Sequence, residues 1–105
     1  MLFGKTKAAD INILYEEYKS LNSALLIDVR SKEEYQEGHI PGSINIPLNS
    51  LEDINRVAPS YEQKIYLYCY SGFRSGKALN FLKSMGYENL VNMGGFSQYS
   101  GEIEY

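Results

Sequence analysis

The sequence predicts an α/β fold, a small parallel β-sheet flanked by helices on both faces. Three observations carry that reading. Short runs such as "ALLIDV" and "KIYLYC" are apolar without alternation, as strands buried on both faces are. Between them lie segments whose apolar residues recur every three or four positions. The alternation of strand and helix along the chain favours parallel strands joined by helical crossovers.

The elements follow in order. "DINILYEEYKSL" places Ile11, Leu14, Tyr15, Tyr18 and Leu21 at helical spacing, and Asp10 can cap the first turn. Ala24–Val29 is too short for a helix and reads as a buried strand. Ser31 followed by Glu34 is a capping-box pattern, and Gly38 suits the stop, so "SKEEYQEG" reads as a short helix. Ser43–Ile46 alternates between two prolines and reads as a short strand. Leu48, Leu51, Ile54 and Val57 predict a second short helix ending near Pro59. Lys64–Cys69 is rich in residues that pack on sheets. A further helix begins near Phe73 to Ser75, carries Ala78, Leu79, Leu82 and Met85 on one stripe, and stops at Gly86. "NLVNM" gives a last strand, followed by Gly94 and Gly95.

Composition limits the function classes. The chain has 105 residues, 44% of them hydrophobic and 22% charged, which suits one core, and residues 1–105 read as one domain. A net charge of −3 without a basic run argues against a nucleic-acid partner. No apolar stretch is long enough for a membrane helix. In "MLFGKTKAAD" the lysines follow the apolar start, the reverse of a secretory signal, so the expected location is cytoplasmic. One cysteine, Cys69, and one histidine, His39, make a metal site unexpected, and no cofactor is implied.

The chemistry concentrates in "CYSGFRS", which opens at the carboxyl end of a predicted strand, where parallel sheets bind their ligands. A thiol attacks as thiolate, so its surroundings must favour the anion. A helix starting near Phe73 to Ser75 aims unpaired N–H groups back at Cys69. Gly72 lets the intervening backbone turn into an anion-binding nest. Arg74 is expected to add a charge and a fork suited to an oxyanion, and Ser71 and Ser75 can donate hydroxyls. A buried cysteine packing as a small apolar side chain is the plain alternative, and the loop weighs against it.

This loop resembles the active-site loop of rhodaneses. "LLIDVRSKEEYQEGHIPGSINIP" is similar to that family's first block and "MGGFSQY" to its Gly-Gly segment, so the resemblance covers nearly the whole chain. It implies a rhodanese-like fold and a sulfurtransferase reaction. Cys69 would take the sulfane sulfur of thiosulfate or a low-molecular-weight persulfide and hold it as a persulfide. Tyr70, Ser71, Gly72, Phe73, Arg74 and Ser75 would bind it, and cyanide, a thiol or a partner protein would accept it. With no second cysteine, the acceptor must be external. A persulfide carrier or binding module with little turnover of its own is the alternative. Related phosphatases use a loop one residue longer than the six of Cys69–Arg74 and need a general acid, and this loop has no Asp.

The chain departs from the family pattern at Tyr70, where a basic residue is frequent, so poor turnover with thiosulfate is expected. Tyr70 and Phe73 flank the thiol and are expected to form a partly apolar mouth. Tyr99 stands where many relatives have Trp, and the segment after the glycines is short. Asp28 and Arg30 read chiefly as a local structural pair, with support of the loop from the neighbouring strand as the functional option. The resemblance implies that His39, in "GHIPG", belongs to a structural turn rather than serving as the base of a Cys–His pair. "SGKA" fails the phosphate-loop pattern at Ser71 and Ala78.

Overall fold

A computed structural model describes residues 10–105. The reading of the first residues as lacking a secretory leader falls outside them. Four strands form one parallel sheet in the order β2-β1-β3-β4, where β1 is Leu25–Asp28, β2 Ile44–Asn45, β3 Lys64–Cys69 and β4 Asn89–Gly95. The central strands β1 and β3 are the continuous apolar runs of the sequence, because each is paired on both edges and covered on both faces.

One face packs Ile27, Ile65, Leu67 and Cys69 against Leu51, Ile54, Ala78 and Leu82. Ala78 and Leu82 come from α3, Phe73–Met85, and Leu51 and Ile54 from a 3₁₀ segment, Leu48–Arg56. The other face is richer in tyrosine: Leu26, Tyr66, Tyr68 and Met93 meet Ile11 and Tyr15 of α1, Ile11–Lys19, together with Ile40. Tyr99 completes this face and meets Tyr15 edge-on, with ring centroids 5.7 Å apart.

The capping signals act as read. The Asp10 carboxylate accepts from the Asn12 N–H at 2.9 Å, and α2, Lys32–Gln36, opens on a full Ser31–Glu34 capping box.

Several elements differ in extent or type from the sequence reading, β1 being one residue shorter at each end. Helix α1 stops at Lys19, where the Ser20 hydroxyl donates to the Glu17 carbonyl at 2.6 Å, and Leu21 is left 43% exposed. Strand β2 has two residues rather than four. The segment after Pro47 is 3₁₀ with a kink at Ser50, whose N–H donates to the Pro47 carbonyl at 2.8 Å, a tight i, i+3 closure. Gly94 and Gly95 lie inside β4 rather than after it. There the register slips, Leu67 pairing with Asn92 but Tyr68 with Gly94, so Met93 is the extra residue of a bulge and both glycines are carried to the loop that follows Cys69.

Candidate functional site

Cys69 is the last residue of β3 and is buried. Gly72 follows at φ +95, a left-handed conformation that glycine adopts without steric cost, and α3 begins at the next residue. No side chain in the usual capping position receives the first N–H groups of α3. The cysteine sulfur does so instead. Sγ accepts from the Gly72 N–H at 3.0 Å, the Ser75 N–H at 3.3 Å and the Ser75 hydroxyl at 3.4 Å. The helix start thus delivers its unpaired donors to one sulfur atom.

Two opposed effects set the charge of that sulfur. Burial pushes the thiol pKa up, while the hydroxyl and N–H of Ser75 and the N–H groups of Gly72 and Ser71 pull it down, and the hydrogen bonds win. Cys69 therefore ionises below the ordinary cysteine value. Burial and a lowered thiol pKa, which the sequence set as opposed alternatives, occur together here.

β4 holds the cradle in place. The Ser97 N–H donates to the Tyr70 carbonyl at 3.0 Å. A Cβ on Gly95 would lie 2.5 Å from the Tyr70 carbonyl oxygen and 2.9 Å from Ser71 backbone atoms, so only glycine fits there. Asn92 ties both ends of the first helical turn: its amide nitrogen donates to the Gly72 carbonyl at 3.1 Å, and its oxygen accepts from the Ser75 hydroxyl at 2.7 Å and from the Gly94 N–H at 3.1 Å. The Ser75 hydroxyl has one proton and two acceptors in reach, the sulfur and Asn92. Sequence reasoning did not single out Asn92; its one signal was a polar side chain between the apolar Val91 and Met93.

Arg74 departs from expectation. Its fork closes on Glu34 of α2, Nη1 to Oε1 at 2.7 Å and Nη2 to Oε2 at 3.0 Å. The guanidinium hydrogen bonds bring the Glu34 carboxyl down to about 2, against the opposing effect of partial burial. The charge expected to receive an incoming oxyanion is matched by a carboxylate. Ser71 also differs, its hydroxyl accepting from the Phe73 N–H at 3.4 Å rather than facing the sulfur. Tyr70 and Phe73 are 53% and 68% exposed, an apolar rim beside the loop.

Asp28 and Arg30 form a closed buried pair. Arg30 Nη2 donates to Asp28 at 2.7 Å and to the Gly38 carbonyl at 2.7 Å, and the Arg30 N–H reaches the same carboxylate at 2.8 Å. These bonds pin the end of β1 to the turn after α2, and neither side chain hydrogen-bonds the loop of Cys69. His39 stacks on Tyr35 with centroids 3.6 Å apart, and its Nδ1 lies 2.8 Å from the Tyr35 carbonyl. Its backbone bridges Glu104, so it belongs to the turn.

Among the described residues no group of three or more His, Cys, Asp or Glu side chains could hold a metal, and no helix is long and apolar enough to cross a membrane. A cleft of about 250 Å³ lies beside the loop, lined by Val29, Ser31, Pro47, Leu48, Asn49 and Arg74. A larger one, about 670 Å³ between α1 and the C-terminal segment, includes no residue of the loop.

Comparison with known proteins agrees with this geometry. The family model described as the rhodanese-like domain matches residues 11–102. The chain is 41% identical over 96 residues to the adenylyltransferase and sulfurtransferase uba4 of Ogataea parapolymorpha, covering 90% of this chain and 25% of that protein. It is 41% identical over 70 residues to the thiosulfate sulfurtransferase PspE of Escherichia coli, covering 66% of this chain and 67% of that protein. An E. coli structure described as a rhodanese with anions superposes with a TM-score of 0.73 at 36% identity, over 78% of this chain and 98% of that one. The chain thus spans only a quarter of uba4 but most of the length of smaller rhodaneses. Four parallel strands in this order, a cysteine capping the helix after β3 and a family match over nearly all the described residues lead to one conclusion: the chain belongs to the rhodanese-like domain family.

Proposed function

We propose that the protein is a sulfurtransferase in which Cys69 carries the sulfur. The Cys69 thiolate attacks the outer sulfur of a donor. From thiosulfate the S–S bond breaks and sulfite leaves with its electron pair; from an organic persulfide the leaving group is the thiolate. Cys69 is then a persulfide, and its outer sulfur, partly anionic, rests among the N–H groups of the Tyr70–Ser75 loop. An external nucleophile, cyanide or a thiol, attacks that sulfur and restores the thiolate. This is covalent catalysis in two half-reactions, with charge balanced in each.

The observation that carries the reading is the convergence on one sulfur of two N–H donors, at 3.0 and 3.3 Å, with the Ser75 hydroxyl, shared with Asn92, at 3.4 Å. A neutral thiol gains little from converging donors, whereas a thiolate or persulfide anion gains much. The named sulfurtransferases among the relatives support the same reading. Incubation with thiosulfate or glutathione persulfide followed by mass measurement is expected to show a gain of one sulfur atom, absent in Cys69→Ser. A wild-type protein that gains no sulfur from either donor would defeat the proposal.

The exposed rings of Tyr70 and Phe73 favour a second reading, a persulfide carrier that docks a partner enzyme and turns over slowly alone. Fast sulfuration of cyanide or free thiols without a partner would count against it.

A further inference from the structure

The donor must bring negative charge to an anionic sulfur, so the electrical balance of the surroundings decides which donors approach. Thiosulfate carries two negative charges, an organic persulfide on an uncharged body only one. Of the residues forming the loop and the adjoining cleft, Arg74 is the single cation. It is closed fork-to-fork on Glu34, at 2.7 and 3.0 Å. Position 70 adds a phenol in place of a charge, and Lys77, one turn along α3, leans 4.9 Å over the Phe73 ring. The cleft wall is otherwise Val29, Pro47 and Leu48, with the Ser31 hydroxyl and Asn49 amide as polar groups. Val29 neighbours the end of β3: its N–H donates at 3.0 Å to the carbonyl of Tyr68, the residue before Cys69, and its side chain shares the apolar cluster of Cys69.

Resting on the sulfurtransferase reading, we infer that Glu34 is a specificity-determining residue: by matching the charge of Arg74 it makes the approach to Cys69 electrically neutral and selects an organic persulfide with an uncharged body over an inorganic dianion. The uncharged part of the donor lies along Val29, Pro47 and Leu48 in the cleft, its outer sulfur directed at Cys69. The transfer is Cys69–S⁻ plus R–S–S⁻ giving Cys69–S–S⁻ plus R–S⁻; one S–S bond breaks and another forms, with no net oxidation. Glu34 touches no reacting atom and acts through Arg74.

The test compares two donors, thiosulfate and the persulfide of 2-mercaptoethanol, in the wild type and in Glu34→Gln. Glutamine keeps an oxygen for the Ser31 N–H, so the cap of α2 survives, but it leaves Arg74 with an uncompensated charge. The ratio of kcat/KM for thiosulfate over the neutral-bodied persulfide is expected to rise about tenfold in Glu34→Gln, from a partly screened Coulomb attraction acting on one extra negative charge. Taking the ratio cancels any common change in thiol ionisation. A second reading needs no variant: kcat/KM of the wild type for thiosulfate is expected to stay level or rise with ionic strength. A fall with added salt would reveal an unmatched cation and overturn the inference, as would an equal loss with both donors in Glu34→Gln, which would make Glu34 a mere support for Arg74. Transfer with an unchanged ratio overturns the inference alone. No transfer from either donor in either protein defeats the sulfurtransferase reading and the inference with it.

Discussion

The two central strands end in polar groups, and the ends behave differently. At the end of β1 every charge is matched: Asp28 receives the Arg30 guanidinium and N–H, and the remaining reach of Arg30 goes to the Gly38 carbonyl. At the end of β3 donors outnumber what the resting side chain needs, because the sulfur of Cys69 takes two N–H groups and has a hydroxyl in reach that it shares with Asn92. A closed set of bonds fixes a shape. An excess of donors around one atom stores capacity for an anion that has yet to form. The chain places both at neighbouring strand ends, so the closed pair holds the scaffold while the open cradle keeps donors turned toward one sulfur.

Breaking the closed end is expected to have the largest effect, and on stability alone. Asp28→Asn leaves a buried guanidinium without its counter-charge and should cost about 3–5 kcal/mol in denaturant unfolding. The Cys69 thiol of the folded variant should titrate as in the wild type; a shifted titration would show that the two strand ends are coupled.

The next largest effect belongs to the open end. Gly95→Ala forces a methyl against the Tyr70 carbonyl oxygen at 2.5 Å, so the loop must move and its donors with it. Sulfur uptake by Cys69 should fall about a hundredfold, the scale of losing a preorganised donor. Ser75→Ala is milder, because the two N–H donors remain. The thiol pKa should rise, and the rate of alkylation by iodoacetamide at neutral pH should fall about tenfold, as for a hydrogen bond to a charged group.

The smallest effect is expected from Glu34 on lowering the pH. Its carboxyl is depressed from 4.5 to about 2, so its contribution to stability is present above the unfolded value and is lost as pH falls from about 4.5 through about 2. Acid unfolding of Glu34→Gln should lack that part of the slope, and an identical acid profile would show that the pair with Arg74 adds nothing to the fold.

The sequence made local features legible and hid the long-range ones. The Asp10 cap, the Ser31–Glu34 box and the turning role of Gly72 are set by residues a few positions apart, and each is found as read. The cradle was legible for the same reason, since Cys69, Gly72 and Ser75 lie within six positions of each other. Glu34 was correctly read as a cap, yet a carboxylate can accept more than one donor, and its bonds to an arginine 40 residues away leave no trace in spacing. Asn92 was missed because its partners lie 17 and 20 residues back on α3 and its cap. The bulge at Met93 was equally hidden, because register depends on both strands at once.

The most direct test is a titration of Cys69 in the folded protein, following thiolate absorbance or alkylation rate against pH. Hydrogen bonds that outweigh burial require an apparent pKa below that of an ordinary cysteine, moving upward in Ser75→Ala. A value at or above the ordinary one, unmoved by Ser75→Ala, would mean that burial governs the sulfur and that the cradle stabilises no anion.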